Sequence, residues 1–278
     1  MRVLVILATF FLIFGVQAQG VLNNLGNGKA AGLNGINTVF SDTYALTGNQ
    51  AGIALAEHFG AFAYAEQRFL IPELAGANAG VIIPSKAGSF GISLGYFGFE
   101  NFNEQKIGLA YGRKLLENLT IGGQFDFFNQ QSGDFGSTSI FTFELGLQYL
   151  FNDKLTIGIH TINPLRVGFS EDDVLTSNFK VGLKYAIVKN VHLLAELEKD
   201  LIFDEVFRAG IIYNPIQNLE FRMATSTNPT SFSMGIGYKL KNGIGIDLAS
   251  NFHQILGFTP SAGFIYQVNR QSKSSGGQ

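Results

Sequence analysis

Residues 141–149 read Phe-Thr-Phe-Glu-Leu-Gly-Leu-Gln-Tyr, a stretch in which large apolar residues alternate with small or polar ones. Because successive side chains of a β-strand point to opposite faces, this alternation predicts a strand with one apolar and one polar face. The pattern recurs at residues 119–128 and 179–185. Its polar face is rich in glycine, which suits the crowded interior of a closed barrel. We therefore expect the apolar face to point outward, into lipid.

About fourteen such segments follow one another, and short connections rich in turn-forming residues alternate with longer polar ones. This alternation is typical of outer-membrane barrels, which have short periplasmic turns and longer outer loops. The sequence therefore predicts an all-β fold, a 14-stranded antiparallel transmembrane β-barrel over 58–269, with both ends on the periplasmic side. The expected tight turns are Glu117-Asn118, Asn152-Asp153, Lys189-Asn190, Asn214 to Asn218 and Lys241 to Gly243.

A tyrosine precedes each of these tight turns by a few residues, always on a position that we expect to face lipid. Aromatic rings at such positions lie at the level of the lipid headgroups, so they predict an interfacial girdle on one rim. The alternative is cross-strand tyrosine pairing in a soluble β-sandwich, which would have to bury Phe143, Leu183 and Ile236 between two layers. The girdle residues are Tyr111, Tyr149, Tyr185, Tyr213 and Tyr238.

The two ends of the chain differ from the barrel region. Residues 1–18 have a positive start at Arg2, an apolar stretch and a small-residue cleavage pattern at Val16-Gln17-Ala18, which together predict a signal peptide. Residues 270–278 are polar and lack periodicity, so we expect a disordered periplasmic tail.

The composition restricts the classes of function. The chain has no cysteine, which excludes disulfides and thiolate metal sites. Charged residues make up 14% of the sequence and the net charge is -2, so there is no basic face of the kind that binds nucleic acid. We expect the cell outer membrane as the location, the lipid bilayer as a partner and no nucleic acid as a partner.

The segment 19–57 does not alternate and is too apolar for a free tail. The glycines on the inner faces of the expected strands leave volume inside the barrel, which some other part of the chain must fill. Ser41-Asp42 can cap a short helical turn in this segment. We therefore predict that residues 19–57 form an N-terminal hatch that plugs the lumen.

The order Ala31 to Gly35, Ser41-Asp42 and Gly48 to Gly52 also resembles a known family. It is similar to the hatch of FadL-type outer-membrane barrels, in which a small-residue run precedes an Asp and an Asn-Pro-Ala-Gly motif. Relatives of that family include the PorV/PorQ proteins of the type IX secretion system. The resemblance assigns the hatch motif to Asn49, Gln50, Ala51 and Gly52, with Gln50 in place of the proline.

The expected outer loops are too short for the helical hairpins that capture fatty acids in FadL transporters. The resemblance therefore implies a barrel of the PorV/PorQ type, which serves secretion or an accessory role by binding another outer-membrane or secreted protein. The alternative is a FadL-like channel for hydrophobic or small solutes, with a lateral opening near the hatch. Its partner would be a hydrophobic small molecule.

Charged residues on the inner faces of neighbouring strands carry opposite signs and predict a lumen charge ladder. Buried charges of this kind are tolerated only if they are paired or hydrated. One interpretation is a salt-bridge lattice that holds the hatch, and the other is a polar lining for ions or small solutes. The ladder residues are Lys180, Lys184, Glu196, Glu198, Arg208, Glu220 and Arg222.

No pattern indicates catalysis. No G-x-S-x-G elbow is present, and His160 and His192 have no third ligand nearby, so we expect no enzymatic activity, no cofactor and no metal. One outer loop is strongly apolar, and it either packs against lipid or the barrel mouth or docks a partner or ligand. Its apolar stretch contains Phe252, His253, Ile255, Leu256 and Phe258.

Overall fold

The computed structural model describes residues 25–133, 136–170, 175 and 177–268. The described residues form fourteen antiparallel strands in one closed barrel, in which β1 pairs with β14 and every other strand pairs with its neighbours in sequence. The predicted 14-stranded barrel is thereby confirmed. The expected signal peptide at 1–18 and the expected tail at 270–278 lie outside the described residues.

The strand bounds agree with the period-two pattern. They are β1 Gly60–Gln67, β2 Ala75–Ser85, β3 Gly88–Phe99, β4 Phe102–Leu116, β5 Leu119–Ser132, β6 Ser137–Asn152, β7 Leu155–Ile162, β8 Asn178–Val188, β9 Val191–Asp200, β10 Val206–Ile216, β11 Leu219–Ser226, β12 Ser231–Lys239, β13 Ile244–His253 and β14 Gly257–Gln267.

The barrel has two different rims. The short connections, together with the start of β1 and the end of β14, lie on one rim, which we call the turn rim. The other connections lie on the opposite rim, the loop rim, and the longest of them is 163–177. The predicted alternation of short and long connections is present only in part, because the loop-rim connections 100–101 and 254–256 are as short as the turns of the other rim. One short turn that the sequence analysis did not identify, Lys86-Ala87, joins β2 to β3.

Several strands extend further toward the loop rim than their apolar pattern predicts. The polar pattern of residues 129–139 predicts one of the longer connections, but Asn129 pairs with Ser139 and Gln130 with Thr138. Phe252 and Phe258, expected in the last outer loop, pair with each other in β13 and β14. The reason is that strand pairing continues beyond the hydrocarbon layer, where an outward-facing residue meets water and need not be apolar.

The exposure of side chains is the reverse of that in a soluble protein. Phe125 and Phe141 on the outer face are 75% and 73% exposed, whereas Glu144, between two outward residues, is 3% exposed. Leu183 and Ile236, which a β-sandwich would have to bury, are 41% and 40% exposed. A sheet with this distribution is stable only if hydrocarbon surrounds it.

Short helical turns form most of the regular structure in the segment before β1. They are α1 at Gly28–Ala31 and two 3-10 helices at Thr43–Thr47 and Gln50–Leu55. Two further 3-10 helices, Arg68–Leu70 and Pro72–Leu74, connect β1 to β2. Among the residues that the structure describes, no helix is long and apolar enough to cross a membrane.

Candidate functional site

We call residues 25–57 the hatch segment, and all of it except its end near Leu55 and Glu57 lies inside the barrel. The side chains of Leu33, Ile36, Leu46 and Ile53 are fully buried and belong to one apolar cluster with inward-facing strand residues such as Ile82. The short helices of this segment are capped by side chains, since Asn27, Asp42 and Asn49 each accept a hydrogen bond from a backbone N–H that follows them. The hatch is therefore a packed element with satisfied polar groups.

Glycines of the barrel wall make room for the hatch backbone. Gly122 lies opposite Gly146, and Gly158 lies opposite Gly182, so that two glycine pairs face the lumen on β5 to β8. A Cβ atom at any of these four positions would overlap a hatch atom, for example the Thr38 hydroxyl at Gly182. The predicted role of the inner glycines, to leave volume for a plug, agrees with these contacts.

Asn49, the first residue of the hatch motif, joins the hatch to two strands at once. Its Nδ2 donates to the backbone oxygens of Leu147 on β6 and Ile159 on β7, at 3.0 and 3.1 Å, and to that of Thr38 at 2.9 Å. Its Oδ1 accepts from the N–H of Ala51 at 3.1 Å and caps the 3-10 helix. An Asn at this position therefore serves the local turn and the docking of the hatch together.

Gln50, the second residue of the motif, contacts a buried charge cluster. Its Nε2 donates to Oε2 of Glu144 at 2.7 Å, and its Oε1 lies 3.1 Å from Nε2 of His160. Glu144 also contacts His160 at 3.0 Å and Lys106 at 2.5 Å. Lys106 in turn lies 3.2 Å from Asp126. The remaining motif residues, Ala51 and Gly52, are buried within the hatch.

Glu196 on β9 holds the middle of the hatch. Its Oε2 accepts from the backbone N–H groups of Asn37 and Thr38, both at 3.0 Å, and from the Thr38 hydroxyl at 2.8 Å. Its Oε1 lies 3.4 Å from Arg208. The carboxylate therefore satisfies two buried backbone donors that a hatch without regular structure would leave unpaired.

Ion pairs connect the residues assigned to the lumen charge ladder, with the exception of Lys184. Lys180 lies 3.4 Å from Glu198, and Arg208 lies 2.7 Å from Glu198. Lys184 makes no ion pair with a described residue, contrary to the expected contact with Glu196 or Glu198. The reason is the register of β8 and β9, which places Lys184 opposite Leu194 and Lys180 opposite Glu198.

The last part of the ladder includes a residue that the sequence analysis missed. Arg222 pairs with Glu220 and also with Asp247, which accepts a hydrogen bond from the Tyr44 hydroxyl of the hatch at 2.7 Å. Arg222 Nη1 also donates to the backbone oxygen of Gly28 at 3.0 Å. The sequence did contain a signal for Asp247, because it lies on β13 between the outward residues Ile246 and Leu248 and must therefore face the lumen.

Within the hatch, Lys29 and Asp42 form an ion pair near the turn rim. Burial alone would raise the pKa of the Asp42 carboxyl, but the Lys29 ammonium outweighs burial and holds this pKa below its ordinary value. Burial alone would lower the pKa of Lys29, but Asp42 and Glu220 raise it above its ordinary value. Both groups are therefore charged at neutral pH.

The five tyrosines of the predicted girdle lie on the outer face near the turn rim. Tyr111, Tyr185, Tyr213 and Tyr238 are each more than one third exposed, and Tyr149 is half-buried. Tyr111 also donates a hydrogen bond to the backbone oxygen of Ala87 at 2.6 Å. Their role at the membrane interface remains a prediction.

The two histidines considered as metal ligands are not brought together into a ligand set. His160 contacts Glu144 and Gln50, and His192 lies on β9 opposite Ala186 and Ile212. In the described parts of the chain, no group of three or more His, Cys, Asp or Glu side chains could hold a metal ion.

A cavity of about 650 Å³ opens at the loop rim above the hatch, and we call it the vestibule. Its floor includes Leu25, Asn34 and Asn37 of the hatch, and its walls carry the paired charges of the ladder around Glu198. Beside it, Leu25 packs against Phe128 and Leu175, so that part of the connection 163–177 folds against the barrel wall. The vestibule is thus a polar space closed below by the hatch.

The lipid-facing surface has a groove of about 600 Å³ across β14, β1, β2 and β3. Its floor is formed by alanines on neighbouring strands, and larger side chains such as Leu94, Tyr96 and Phe264 border it. On the lumen side of the same wall lies a small cavity of about 40 Å³. Asn78, Leu94 and Gly95 line both spaces. The groove alanines are Ala63, Ala65, Ala77, Ala79 and Ala262.

Solved structures show how this architecture is related to known barrels. No protein-family profile and no curated protein matches the sequence. The chain is similar in structure to the monoaromatic hydrocarbon channel CymD, with a TM-score of 0.68 and 12% identity over 89% of this chain and 99% of that one.

Two further structures are similar to a comparable degree. The Pseudomonas putida toluene transporter TodX has a TM-score of 0.67 and 12% identity over 88% of this chain and 99% of that one. A Pseudomonas aeruginosa FadL homologue has a TM-score of 0.61 and 10% identity over 87% and 97%. The chain therefore has the fold of FadL-like outer-membrane β-barrels.

Proposed function

We propose that this protein is a non-enzymatic outer-membrane channel of the FadL type for small hydrophobic molecules, with its turn rim toward the periplasm and the hatch as its gate. The observation that carries the proposal is the alanine-floored groove on the outer wall, which lies directly opposite the lumen cavity beside Asn78 and Gly95. A groove of this composition, open to lipid, suits an apolar solute better than a polar one.

The wall between the groove and the lumen is closed in this structure. Asn78 lies opposite Gly95 in a β2–β3 register that runs without a break from Gly76 to Ser85. Nδ2 of Asn78 donates to the backbone oxygen of Gly26 at 2.6 Å, so the start of the hatch is tied to the same point of the wall. Movement of the hatch would therefore break this hydrogen bond and free the side chain of Asn78, which lies between the groove and the lumen cavity.

Uptake of the hydrophobic dye phenylnaphthylamine by bacteria that express the protein in their outer membrane tests this function. A disulfide between Thr38→Cys and Gly182→Cys would lock the hatch. A Cβ at Gly182 lies 3.2 Å from Cβ of Thr38, so that an outward shift of a few tenths of an ångström brings the pair to the Cβ–Cβ distance of about 3.5–4.5 Å that a disulfide requires. The chain has no other cysteine. We expect fast uptake with the wild type, slow uptake with the oxidised pair and recovery on reduction.

The single variants Thr38→Cys and Gly182→Cys are the controls for loss of the native contacts. Equal dye uptake in cells with and without the wild-type protein would contradict channel function. Uptake that is equally fast with the oxidised and the reduced double variant would contradict the role of the hatch as gate.

A second candidate function is a protein-binding barrel of the PorV/PorQ type, which acts in type IX secretion or as an accessory subunit. The observations that favour it are the hatch, which Glu196 and Asn49 hold firmly in the lumen, and the apolar loop rim, where Ile255 is 86% exposed beside Leu256. A photo-crosslinking residue at Ile255 would capture a protein partner in cells of the native host. Absence of any crosslinked species would count against this candidate.

A further inference from the structure

Basic side chains are distributed around the turn rim. Seven of them are exposed, and none of the seven forms an ion pair with a described residue. Lys239 is one of the seven, but it acts on the nearby Asp42 carboxylate of the hatch, so we leave it out of the set. We call the set the basic ring, and its members are Lys86, Arg113, Lys114, Lys154, Lys189 and Lys241.

The basic ring is not balanced by acidic residues on its own rim. Exposed acids there are Glu57, Glu117 and Asp153. The loop rim has the opposite character, because its exposed acids outnumber its exposed bases Arg166 and Lys199, of which Lys199 is already paired with Glu205. The exposed acids of the loop rim are Glu73, Glu100, Asp204 and Glu205. Among the described residues, most of the exposed and unpaired positive charge therefore lies at one membrane surface.

The ring also lies beside the tyrosines of the outer face. Arg113 is two residues beyond Tyr111 on the same lipid-facing side of β4, and Lys189 is four residues beyond Tyr185. Lys154 comes five residues after Tyr149, and Lys241 comes three residues after Tyr238. A long basic side chain just outside an aromatic residue at the barrel surface can extend its charge to the level of the lipid phosphates.

We propose that the basic ring binds the headgroups of anionic phospholipids in the membrane leaflet at the turn rim. Charge complementarity supports the assignment, and the distribution of the ring identifies the partner. The six residues belong to connections or strand ends spread from β2 to β13, so they surround the barrel as lipids do. A protein partner would instead contact one sector. The proposal rests on the placement of the barrel in a bilayer and is independent of channel activity.

The test reconstitutes the full chain in nanodiscs that contain phosphatidylglycerol and phosphatidylethanolamine at one to three. Native mass spectrometry then measures which lipids remain bound after release. A basic residue near an anionic surface favours binding by about fivefold. We therefore expect the ratio of bound phosphatidylglycerol to bound phosphatidylethanolamine to be about fivefold higher than the bulk ratio with the wild type, and this enrichment to be lost when all six residues are changed to Gln.

Two matched variants control for unspecific effects of charge. The pair Arg166→Gln and Lys199→Gln removes two bases from the loop rim and should leave the enrichment unchanged. A variant with Arg at all six ring positions should retain it. Where the Gln variant does not assemble, the wild type at high salt replaces it, because a Debye length reduced from about 10 to about 3 Å should abolish the enrichment.

Three results would overturn the proposal. They are bulk lipid composition around the wild type, unchanged enrichment in the six-site Gln variant, and equal loss of enrichment in the loop-rim variant. Retained lipid enrichment in the Gln variant together with loss of a crosslinked acidic periplasmic protein would reassign the ring to a protein partner and reject lipid binding. Dye uptake is unaffected by these outcomes, so failure here is distinguishable from failure of the channel function.

Discussion

Nε2 of Gln50 lies 2.7 Å from Oε2 of Glu144, so one amide of the hatch is hydrogen-bonded to a carboxylate of the barrel wall that is 94 positions away in the chain. The same amide reaches His160 through its oxygen. The amide nitrogen of Gln50 thus has the Glu144 carboxylate as its acceptor, and the amide oxygen of Gln50 has an imidazole nitrogen of His160 as its partner. This contact is one of those that hold the hatch against the barrel wall, and it allows a direct test of the proposed gating.

Gln50→Pro should loosen the hatch without breaking its local helix. Gln50 is the first residue of the 3-10 helix Gln50–Leu55, a position at which proline is compatible with helical structure. The change removes the contacts with Glu144 and His160 and leaves both without that partner, at a cost of about 1–3 kcal/mol. We expect faster dye uptake and a lower melting temperature.

Gln50→Ala is the matched control, because it removes the same contacts and leaves the backbone N–H. The two variants should behave alike. A proline variant that unfolds the barrel while the alanine variant does not would show that backbone geometry, and not the lost amide, causes the effect.

Glu196→Ala should be more damaging than Glu196→Gln. The alanine variant leaves the buried N–H groups of Asn37 and Thr38 without their acceptor, at a cost of about 1–3 kcal/mol for each unsatisfied donor, whereas Arg208 keeps its contact with Glu198. Glutamine retains one acceptor oxygen of the same geometry. Protease cleavage within the hatch of detergent-solubilised protein measures the difference, and equal cleavage of both variants would contradict this account.

Gly122→Ala should displace the hatch, whereas Gly123→Ala should not. A Cβ at Gly122 would overlap the backbone of Gln50 and Ala51, while the nearest atom to a Cβ at Gly123 is the backbone oxygen of Glu144 at 3.1 Å. Overpacking of this kind costs about 1–3 kcal/mol. Thermal unfolding of the two variants in the same detergent compares adjacent positions on opposite faces of β5. Equal melting temperatures would show that the hatch adapts at no cost.

The Lys29–Asp42 pair should make hatch stability depend on pH at both extremes. Because the pKa of Asp42 is lowered, its contribution is complete above the ordinary value of 3.8 and is lost as the pH falls through the lowered folded-state pKa. Because the pKa of Lys29 is raised, its contribution is complete below 10.5 and is lost as the pH rises above the folded-state pKa.

Asp42→Asn isolates this effect, since Asn can still cap Thr43–Thr47 by accepting from the N–H of Tyr44. We expect the variant to be less stable than the wild type by about 1 kcal/mol at pH 7. The difference should disappear at acid pH, where Asp42 of the wild type is protonated. A difference that stays constant down to pH 2 would assign the effect to the cap instead of the charge.

The strands could be predicted from the sequence because each strand of this barrel meets lipid on one face and the lumen on the other. Phe141 faces lipid and Glu144 faces the lumen, and the alternation of apolar and polar residues predicts both positions without knowledge of distant residues. Lys180, Arg208 and Arg222, which the same parity assigns to the lumen, have side chains that are at most 15% exposed and lie in ion pairs. The alternation failed at strand ends such as Phe252, since outside the hydrocarbon layer the period carries no information about burial.

The pairing of lumen residues could not be predicted in the same way. Lys184 and Lys180 have the same parity, yet only Lys180 reaches a glutamate, because the register of β8 and β9 decides the height of each side chain. Asp247 and Gln148 were missed as hatch contacts although their parity is clear. Gln148 donates to the backbone oxygens of Thr38 and Phe40, and nothing near Gln148 in sequence indicates those partners.

The sequence by itself determined the inside-out sheet, its strand number and the presence of a small-residue segment before it, because these depend on local alternation and composition. Only the tertiary structure decided which wall residues hold that segment. Glu196 and Thr38 are 158 positions apart and meet because barrel closure surrounds the hatch with strands from the whole chain. Contacts of that range follow from register and closure, which no short stretch of residues encodes.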